Sequence, residues 1–273
     1  VIVPGSRIPA NSGLPDDDGL YLTSLETGEC RLAISIREIV RRAAAAGYQL
    51  PGPEAGDCYG FHAKWNPQGT RLLYNLRWVP RRGLWDRLRG RTPSKSEMRK
   101  AVITLEWTGK EIGAVHVAIS DQDWARGGHH PNWCPDGEHV IMNLNLGGEG
   151  LRFVAVRYDG SCLRALHDTA TGSGHPTLHP DGRHILTDAY PGEPVAFGDG
   201  TIPLRLLDLE SGREEVLVRI HTVPAFRGPK KELRVDAHPA WDRSARHIAF
   251  NACPDGTRRV YVADLGEWLK GTS

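Results

Sequence analysis

One histidine recurs four times in the same local frame, and this repeat constrains the fold more than any other feature of the chain. The frame reads HAKWNPQG, HPNWCPDG, HPTLHPDG and HPAWDRSA, beginning at His62, His130, His175 and His238. Self-similarity at intervals of tens of residues is typical of arrays of equivalent structural units. The four imidazoles are therefore expected to occupy equivalent positions in successive units.

Each repeat has the pattern of a four-stranded antiparallel unit. A short strand begins at the histidine, and a turn such as PDG joins it to an apolar strand such as HVIMN or HIAFN. An Asp-Gly pair is a strong hairpin signal. Two further strands follow, and turns at YDGS, LESG or TGKE join them. Four strands in about 45 residues predict a β-propeller blade, so the predicted fold class is all-β.

We assign residues 1–273 to a single β-propeller domain. A partial blade at 1–35 precedes four predicted blades, at 59–119, 127–168, 172–222 and 235–270. Four repeats and a leading partial blade are visible, and the last blade ends at YVADLGEWL without a fourth strand, so we expect a fragment of a larger, seven-bladed ring that lacks its N-terminal blades. A complete five-bladed ring is the alternative.

Bulk composition excludes some classes of protein but names no partner. No apolar run is long enough for a membrane helix, and the formal net charge is +1. The five cysteines are widely spaced and form no CxxC motif, which argues against a disulfide framework and a zinc knuckle. We expect reduced thiols and a cytoplasmic protein. The chain starts at Val1 rather than Met, which we interpret as a truncated start, so a signal peptide cannot be judged.

In a propeller the first strand of each blade lines the central channel, so the four histidines are predicted to lie at one mouth of that channel. A turn centred between the sixth and seventh residues after the histidine places the thirteenth opposite it. Directly opposed antiparallel residues have Cβ atoms about 4.5–5.5 Å apart. Each histidine is thus expected to have a polar partner that also lies within reach of a substrate. These partners are Asn75, Asn143, Asp188 and Asn251.

Converging imidazoles suit a transition metal such as Mn²⁺, Zn²⁺, Fe²⁺ or Ni²⁺ better than Mg²⁺ or Ca²⁺. The predicted metal ligands are the three histidines that precede a proline, His130, His175 and His238. His62 lacks the proline and is assigned to acid–base chemistry. His129 and His179 lie outside the frame and receive no role. A purely structural use of the repeated histidine, as a cap of the blade, stays open.

Basic residues are concentrated near the predicted channel mouth. The segment 77–100, an insertion after the second strand, carries nine basic residues against two acidic ones. A second basic segment precedes His238, and a basic rim recruits anions. The predicted substrate-binding residues are Arg77, Arg126 and Arg227, with Trp124 as a surface for stacking a sugar. A solvated charge run is the alternative.

The basic segment lacks the interleaved aromatic residues that single-stranded nucleic acids stack on. We therefore expect an acidic oligosaccharide rather than nucleic acid, and no membrane. The oligomeric state is not predicted.

The WxPDG hairpin and the closing strands YVADL and LLDLESG resemble the TolB-like propeller repeat. Channel-mouth histidines beside arginine resemble the oligogalacturonate lyase family, propeller enzymes with the same repeat. That resemblance implies a divalent metal, Mn²⁺ first and then Zn²⁺ or Fe²⁺, and cleavage of uronate linkages by β-elimination. It places Asp236 and His238 where the family has a His-x-His pair, so Asp236 becomes a further expected ligand. No residue matches the family's glutamine ligand.

The resemblance also suggests catalytic roles. Arg234 or His62 would take the proton next to the uronate carboxylate, and Tyr190 would protonate the leaving oxygen. The chain is therefore expected to be an enzyme, a metal-dependent lyase. The alternative is a non-catalytic TolB-like propeller that binds a protein or glycan and needs no metal. A glycoside hydrolase ranks lower, because only Asp188 and Asp236 are acids in register.

Overall fold

The structure is a computed structural model and describes residues 12–49, 56–81, 83–90, 94, 97–228 and 233–270. It contains two compact units, Val1–Ala125 and Arg126–Ser273, which we call the N-terminal and C-terminal units. Residues 1–11 of the predicted partial blade lie outside the described residues. So do positions 82, 91–93, 95 and 96 of the predicted basic loop.

The N-terminal unit contains a two-stranded hairpin and one four-stranded antiparallel sheet. The hairpin is formed by β1 (Gly19–Thr23) and β2 (Cys30–Ser35) and leads into α1 (Ile36–Ala45). The Ser35 side chain accepts a hydrogen bond from the Glu38 N–H and caps α1. The sheet has the order β3-β4-β5-β6. Its strands are β3 (Gly56–Trp65), β4 (Arg71–Pro80), β5 (Arg99–Trp107) and β6 (Ile112–Ile119).

Two short helices complete this unit, α2 (Leu84–Leu88) and α3 (Asp121–Ala125). The insertion that contains α2 is shorter than the predicted 77–100 loop. Strand β4 continues to Pro80, which pairs with Gly56, and β5 begins at Arg99, which pairs with Trp78.

The C-terminal unit contains three consecutive antiparallel sheets. The first consists of β7 (Gly128–Trp133), β8 (His139–Leu144), β9 (Arg152–Arg157) and β10 (Arg164–Ala165). The second consists of β11 (Thr177–Leu178), β12 (His184–Thr187), β13 (Thr201–Asp208) and β14 (Glu214–His221). The third consists of β15 (Ala240–Trp241), β16 (His247–Ala252) and β17 (Arg259–Asp264), and α4 (Gly266–Lys270) follows.

The second strands β8 and β12 are almost wholly buried and mostly apolar, whereas β16 is buried at every second residue. Ile141 of β8 packs with Phe153 of β9 and with Ile185 and Leu207 of the next sheet. All four side chains are at most 1% exposed. Contacts of this kind join successive sheets face to face and place the first strands at equivalent positions.

The predicted fold class is confirmed: the chain is all-β and is built from antiparallel β-propeller blades. The number of blades in a complete ring stays a prediction. Among the described residues, the helices are too short and too polar to cross a lipid bilayer.

Candidate metal centre

Three of the repeated histidines lie together in the C-terminal unit, at the starts of the first strands of its three sheets. The ring centroids of His130 and His175 are 3.9 Å apart, and those of His175 and His238 are 3.5 Å apart. The His130 and His238 centroids are separated by 5.9 Å. Residues more than 100 positions apart in the chain thus form one imidazole cluster.

The backbone at these strand starts is unusual. His62, His130 and His238 have φ values of 57°, 57° and 46°, in the left-handed region that residues other than glycine rarely adopt. Holding such a residue there costs about 1–2 kcal/mol. In the second sheet Gly174 takes the left-handed position instead, with φ of 64°. A Cβ at Gly174 would lie 2.1 Å from the Asp188 carbonyl oxygen, so only glycine fits.

This backbone shift changes the predicted register. Asn143 pairs with His129 and not with His130, and Asn75 pairs with Phe61 and not with His62. A β-bulge at each histidine inserts one extra residue and displaces the partner by one position.

The predicted pairing is found at His175, which lies against the fully buried Asp188. The His175 Nδ1 atom is 2.8 Å and 3.0 Å from the two carboxylate oxygens. The backbone N–H of His175 donates to the same carboxylate at 2.7 Å, and that of His238 donates at 3.1 Å. An Nδ1–H bound to a carboxylate leaves the Nε2 lone pair for another partner, as in many metal-binding histidines.

These donors stabilise the charged form of Asp188. Burial alone would raise its pKa, but the hydrogen bonds from His175 and the His238 N–H outweigh burial and lower the pKa of Asp188. The carboxylate is therefore ionised at neutral pH.

Tyr190 brings a phenol to the same cluster. Its hydroxyl lies 3.2 Å from His175 Nε2 and also hydrogen-bonds to His130 Nε2. Burial is the largest cause that raises the pKa of Tyr190, and the Asp236 charge adds to it. The phenol therefore keeps its proton at neutral pH, and it marks the point on which the two Nε2 atoms converge.

Asp236 adds a carboxylate to the cluster. The ligand atoms of Asp236, His175 and His238 all lie within 4.8 Å of one another. Arg234 donates to both Asp236 oxygens, at 2.6 Å and 3.1 Å, and its Cζ atom lies 4.7 Å from the centre of the Tyr190 ring. The hydrogen bond to Asp236 raises the pKa of Arg234.

This donor set fits a divalent transition metal. Imidazole nitrogens and one carboxylate suit Mn²⁺, Zn²⁺ and Fe²⁺. Asp188 supplies the outer carboxylate that orients a ligating imidazole. Asp236 could bind a metal only if it shares or releases Arg234.

Two residues that the sequence reasoning left out contact this cluster. His129 lies beside Tyr190, with ring centroids 5.6 Å apart, and its Nε2 is 3.5 Å from Glu193 Oε1. The Tyr190 N–H donates to Glu193 Oε2 at 3.0 Å. The two adjacent histidines at 129 and 130 could have indicated His129 from the sequence. Glu193 lies in a loop without a recognisable motif, so no sequence pattern indicated it.

A second imidazole group lies at the turn between β11 and β12. The ligand atoms of His179, Asp181 and His184 are also within 4.8 Å of one another. Asp181 Oδ2 is 2.9 Å from His179 Nδ1 and 2.7 Å from His184 Nδ1. Asp181 also accepts the His184 N–H at 3.1 Å, which closes the turn.

Several predicted substrate-binding side chains are buried and contact the protein itself. Asn75, Asn143 and Asp188 are at most 2% exposed. Asn143 Nδ2 donates to the Gly174 carbonyl at 2.8 Å, and Asn251 Nδ2 donates to the Asp236 carbonyl at 3.2 Å. The Asn143 and Asn251 amides thereby tie their strands to the segments that lead into His175 and His238.

The aromatic and basic residues differ in exposure. Trp124 is 6% exposed and lies under the Lys100 ammonium, 5.7 Å from the ring centre, so its face is not open for a sugar. In the N-terminal unit the Arg77 guanidinium lies 4.0 Å from the Phe61 ring, and the half-buried His62 contacts the same ring. Two predicted substrate-binding residues are exposed in the C-terminal unit, Arg126 and Arg227. The roles predicted for Arg77, Arg126, Arg227 and His62 stay predictions.

Several solved structures are similar to this chain at low sequence identity. Neither a family model nor a curated protein matches the chain. Among solved structures, TolB from Acinetobacter baumannii is 11% identical, with a TM-score of 0.45 over 90% of this chain and 57% of TolB. An oligogalacturonate lyase in complex with manganese is 16% identical, with a TM-score of 0.47 over 94% of this chain and 74% of that protein.

A puromycin-hydrolyzing peptidase from Mycobacterium tuberculosis is also similar, at 14% identity and a TM-score of 0.43, over 76% of this chain and 27% of the peptidase. The predicted neighbours, TolB-like propellers and an oligogalacturonate lyase, are thus among the structures that this chain resembles. At these identities the similarity concerns the fold alone, and the neighbours differ in activity.

Proposed function

We propose that the C-terminal unit binds a divalent transition metal, with Mn²⁺ as the first choice, through His130, His175, His238 and Asp236. We further propose that this site belongs to a lyase that cleaves uronate-containing oligosaccharides by β-elimination. The observation that carries the proposal is the cluster of three imidazole rings from three blades, two of which, His175 and His238, have ligand atoms within 4.8 Å of each other and of Asp236. The buried Asp188 behind His175 supports it, because a carboxylate bound to Nδ1 is the usual outer partner of a metal-binding histidine.

The chemistry that a bound divalent cation supplies is positive charge against the uronate carboxylate, which makes the neighbouring C–H more acidic. In β-elimination a base takes the C5 proton, the C4–O bond breaks, and a C4–C5 double bond forms. The departing oxygen then takes a proton.

The residues of the chain suit particular parts of this reaction. Arg234 keeps its proton because of Asp236, so it suits binding of the uronate carboxylate rather than proton abstraction. Tyr190 also keeps its proton at neutral pH and suits the protonation of the departing oxygen. Of the two bases predicted from the sequence, Arg234 is disfavoured. The acid–base role predicted for His62, which belongs to the N-terminal unit, stays a prediction, and a His62→Ala variant tests it.

Metal content is the decisive first measurement. Inductively coupled plasma mass spectrometry of the purified chain is expected to find near-stoichiometric Mn, Zn, Fe or Ni, and His175→Ala is expected to lose it. His221→Ala is the matched control, because His221 is an exposed histidine of β14 in the same unit. Loss of metal from both variants would point to adventitious binding by surface histidines.

An activity assay then separates the two predicted classes. The metal-loaded chain is expected to produce the ultraviolet absorbance of an unsaturated uronate from acidic oligosaccharides, and Tyr190→Phe is expected to slow it. A chain that binds neither added Mn²⁺ nor Zn²⁺ contradicts the metal proposal and favours the non-catalytic binding propeller.

A further inference from the structure

We propose that Glu193 is a positioning residue that holds Tyr190 and His129 against the histidine cluster. The inference rests on the proposed function, because it assigns a task to a residue beside the same site. It arises from contacts that the metal ligands themselves do not use.

The Glu193 carboxylate joins three separate segments of the C-terminal unit. Its Oε2 accepts the Tyr190 N–H at 3.0 Å and also accepts the Ser173 hydroxyl. Its Oε1 lies 3.5 Å from His129 Nε2. One segment begins the first strand of the first sheet, the second leads into His175, and the third carries Tyr190. A single side chain therefore contacts all three segments.

The backbone reinforces this arrangement. The Glu193 N–H donates to the Tyr190 carbonyl at 3.0 Å, so Tyr190 and Glu193 exchange two hydrogen bonds across one turn. Ser173 is 1% exposed, and its contact with Glu193 lies two residues before His175. The position of the Tyr190 hydroxyl between His130 and His175 thus depends on the Glu193 carboxylate.

Glu193 also determines how His129 is held. Asn143 Nδ2 lies 3.2 Å from His129 Nδ1 and donates to it, which leaves the proton on Nε2 facing Glu193. A charged acceptor on one side and an amide donor on the other select one tautomer of His129. The ring is fixed beside Tyr190, with the two ring centroids 5.6 Å apart.

The test uses Glu193→Gln, with Glu210→Gln as a control that removes the same charge at an exposed position of the same unit. Glutamine keeps the volume but cannot accept three donors with the same strength. The first readout is the ¹⁵N spectrum of the histidine rings in metal-free protein, with His129 assigned by a His129→Asn variant. The second is the tyrosine absorption difference, assigned by Tyr190→Phe.

We expect Glu193→Gln to change the His129 tautomer signal and the Tyr190 absorption, while Glu210→Gln changes neither. Ser173→Ala is expected to cause a smaller change of the same kind, and it replaces Glu193→Gln if that variant does not fold. Unchanged His129 and Tyr190 signals, whatever the loss of thermal stability, would overturn the proposal, since a merely structural role lowers stability alone.

Cobalt binding separates this inference from the function on which it rests. If wild-type chain binds Co²⁺, Glu193→Gln is expected to weaken binding by at most about tenfold and to shift the visible spectrum, because Glu193 holds Tyr190 and Ser173, which adjoin His175. Equal affinity and an unchanged spectrum would overturn the link between Glu193 and the site. If wild-type chain binds no Co²⁺, the proposed metal site fails, and the metal-free spectra still decide the role of Glu193.

Discussion

The hairpin of β11 and β12 carries an imidazole–carboxylate group at each end, and the two groups differ in what surrounds the rings. At the strand start, His175 lies against Asp188, and its Nε2 faces Tyr190 and the neighbouring blades. At the turn, His184 lies against Asp181, and His179 Nε2 donates to the Ala245 carbonyl at 3.0 Å. In the first group, His175 Nε2 faces the Tyr190 hydroxyl, which His130 Nε2 also contacts. In the second group, the carboxylate and imidazole atoms form hydrogen bonds that close the turn.

The two imidazole–carboxylate groups also differ in whether they recur in the other sheets. The turn arrangement recurs in the first sheet, where His139 Nδ1 lies 2.7 Å from Asp136 and the His139 N–H donates to the same carboxylate. It recurs in looser form in the third sheet between Asp242 and His247. A device present at each turn is explained by hairpin closure. The His175–Asp188 pair also forms within one hairpin, but the His130 and His238 rings and the His238 N–H that adjoin it come from the neighbouring sheets, and hairpin closure does not explain them.

Removing the buried carboxylate is expected to have the largest effect. Asp188→Ala leaves His175 and two backbone N–H groups without their acceptor in a buried position, and loss of one partner of a buried pair costs about 3–5 kcal/mol. Chemical denaturation measures the change, with Asp188→Asn as the variant that keeps the volume. A loss no larger than that of Asp181→Ala would remove the distinction between the two ends of the hairpin.

Replacing one histidine at each end of the β11–β12 hairpin tests which end binds metal. His175→Ala is expected to weaken Mn²⁺ binding by more than about a hundredfold, because it removes a ligand and releases its Asp188 support. His184→Ala is expected to leave Mn²⁺ affinity unchanged and to lower thermal stability. Isothermal titration calorimetry of both variants gives the comparison, and the reverse order of affinities would assign the metal to the turn.

The Asp181 carboxylate at the turn is predicted to contribute modestly to folding stability, in a way that depends on pH. Burial would raise the pKa of Asp181, but the hydrogen bonds from His184 and from two backbone N–H groups outweigh burial and lower the pKa. A lowered pKa means that the carboxylate stabilises the fold above its ordinary pKa of 3.8, and that this contribution is lost as the pH falls through the lower folded value.

Asp181→Asn is therefore expected to cost about 1 kcal/mol at pH 7, and its difference from wild type should shrink below about pH 4. Urea unfolding at several pH values measures this. A difference that grows as the pH falls would contradict the assigned direction.

The smallest expected effect concerns the Arg234–Asp236 ion pair. Exposed ion pairs contribute about 0.2–1 kcal/mol, and the Arg234 side chain is 59% exposed. Arg234→Met is expected to strengthen Mn²⁺ binding by at most about fivefold, because Asp236 no longer has a competing cation. Arg213→Met, which removes an exposed arginine paired with Glu215, is the control. Weaker Mn²⁺ binding in Arg234→Met would mean that the arginine supports the site.

Sequence alone was sufficient for the blade and for the frame of the histidines. The PDG turns, the apolar second strands and the spacing of His175 from Asp188 are local, because a hairpin with a known turn fixes which residues face each other. The same logic brought His130, His175 and His238 to equivalent places once the repeat was recognised.

Tertiary structure decided what lies around those places. Left-handed backbone at His130 displaces Asn143 by one residue, and α3 buries Trp124 against its own unit. Contact between His129 and Glu193 spans 64 positions and follows from how three segments meet, which no spacing rule encodes. Periodic hydrogen bonding makes a blade readable from its sequence, whereas the polar contacts between blades depend on the packing of the assembled unit.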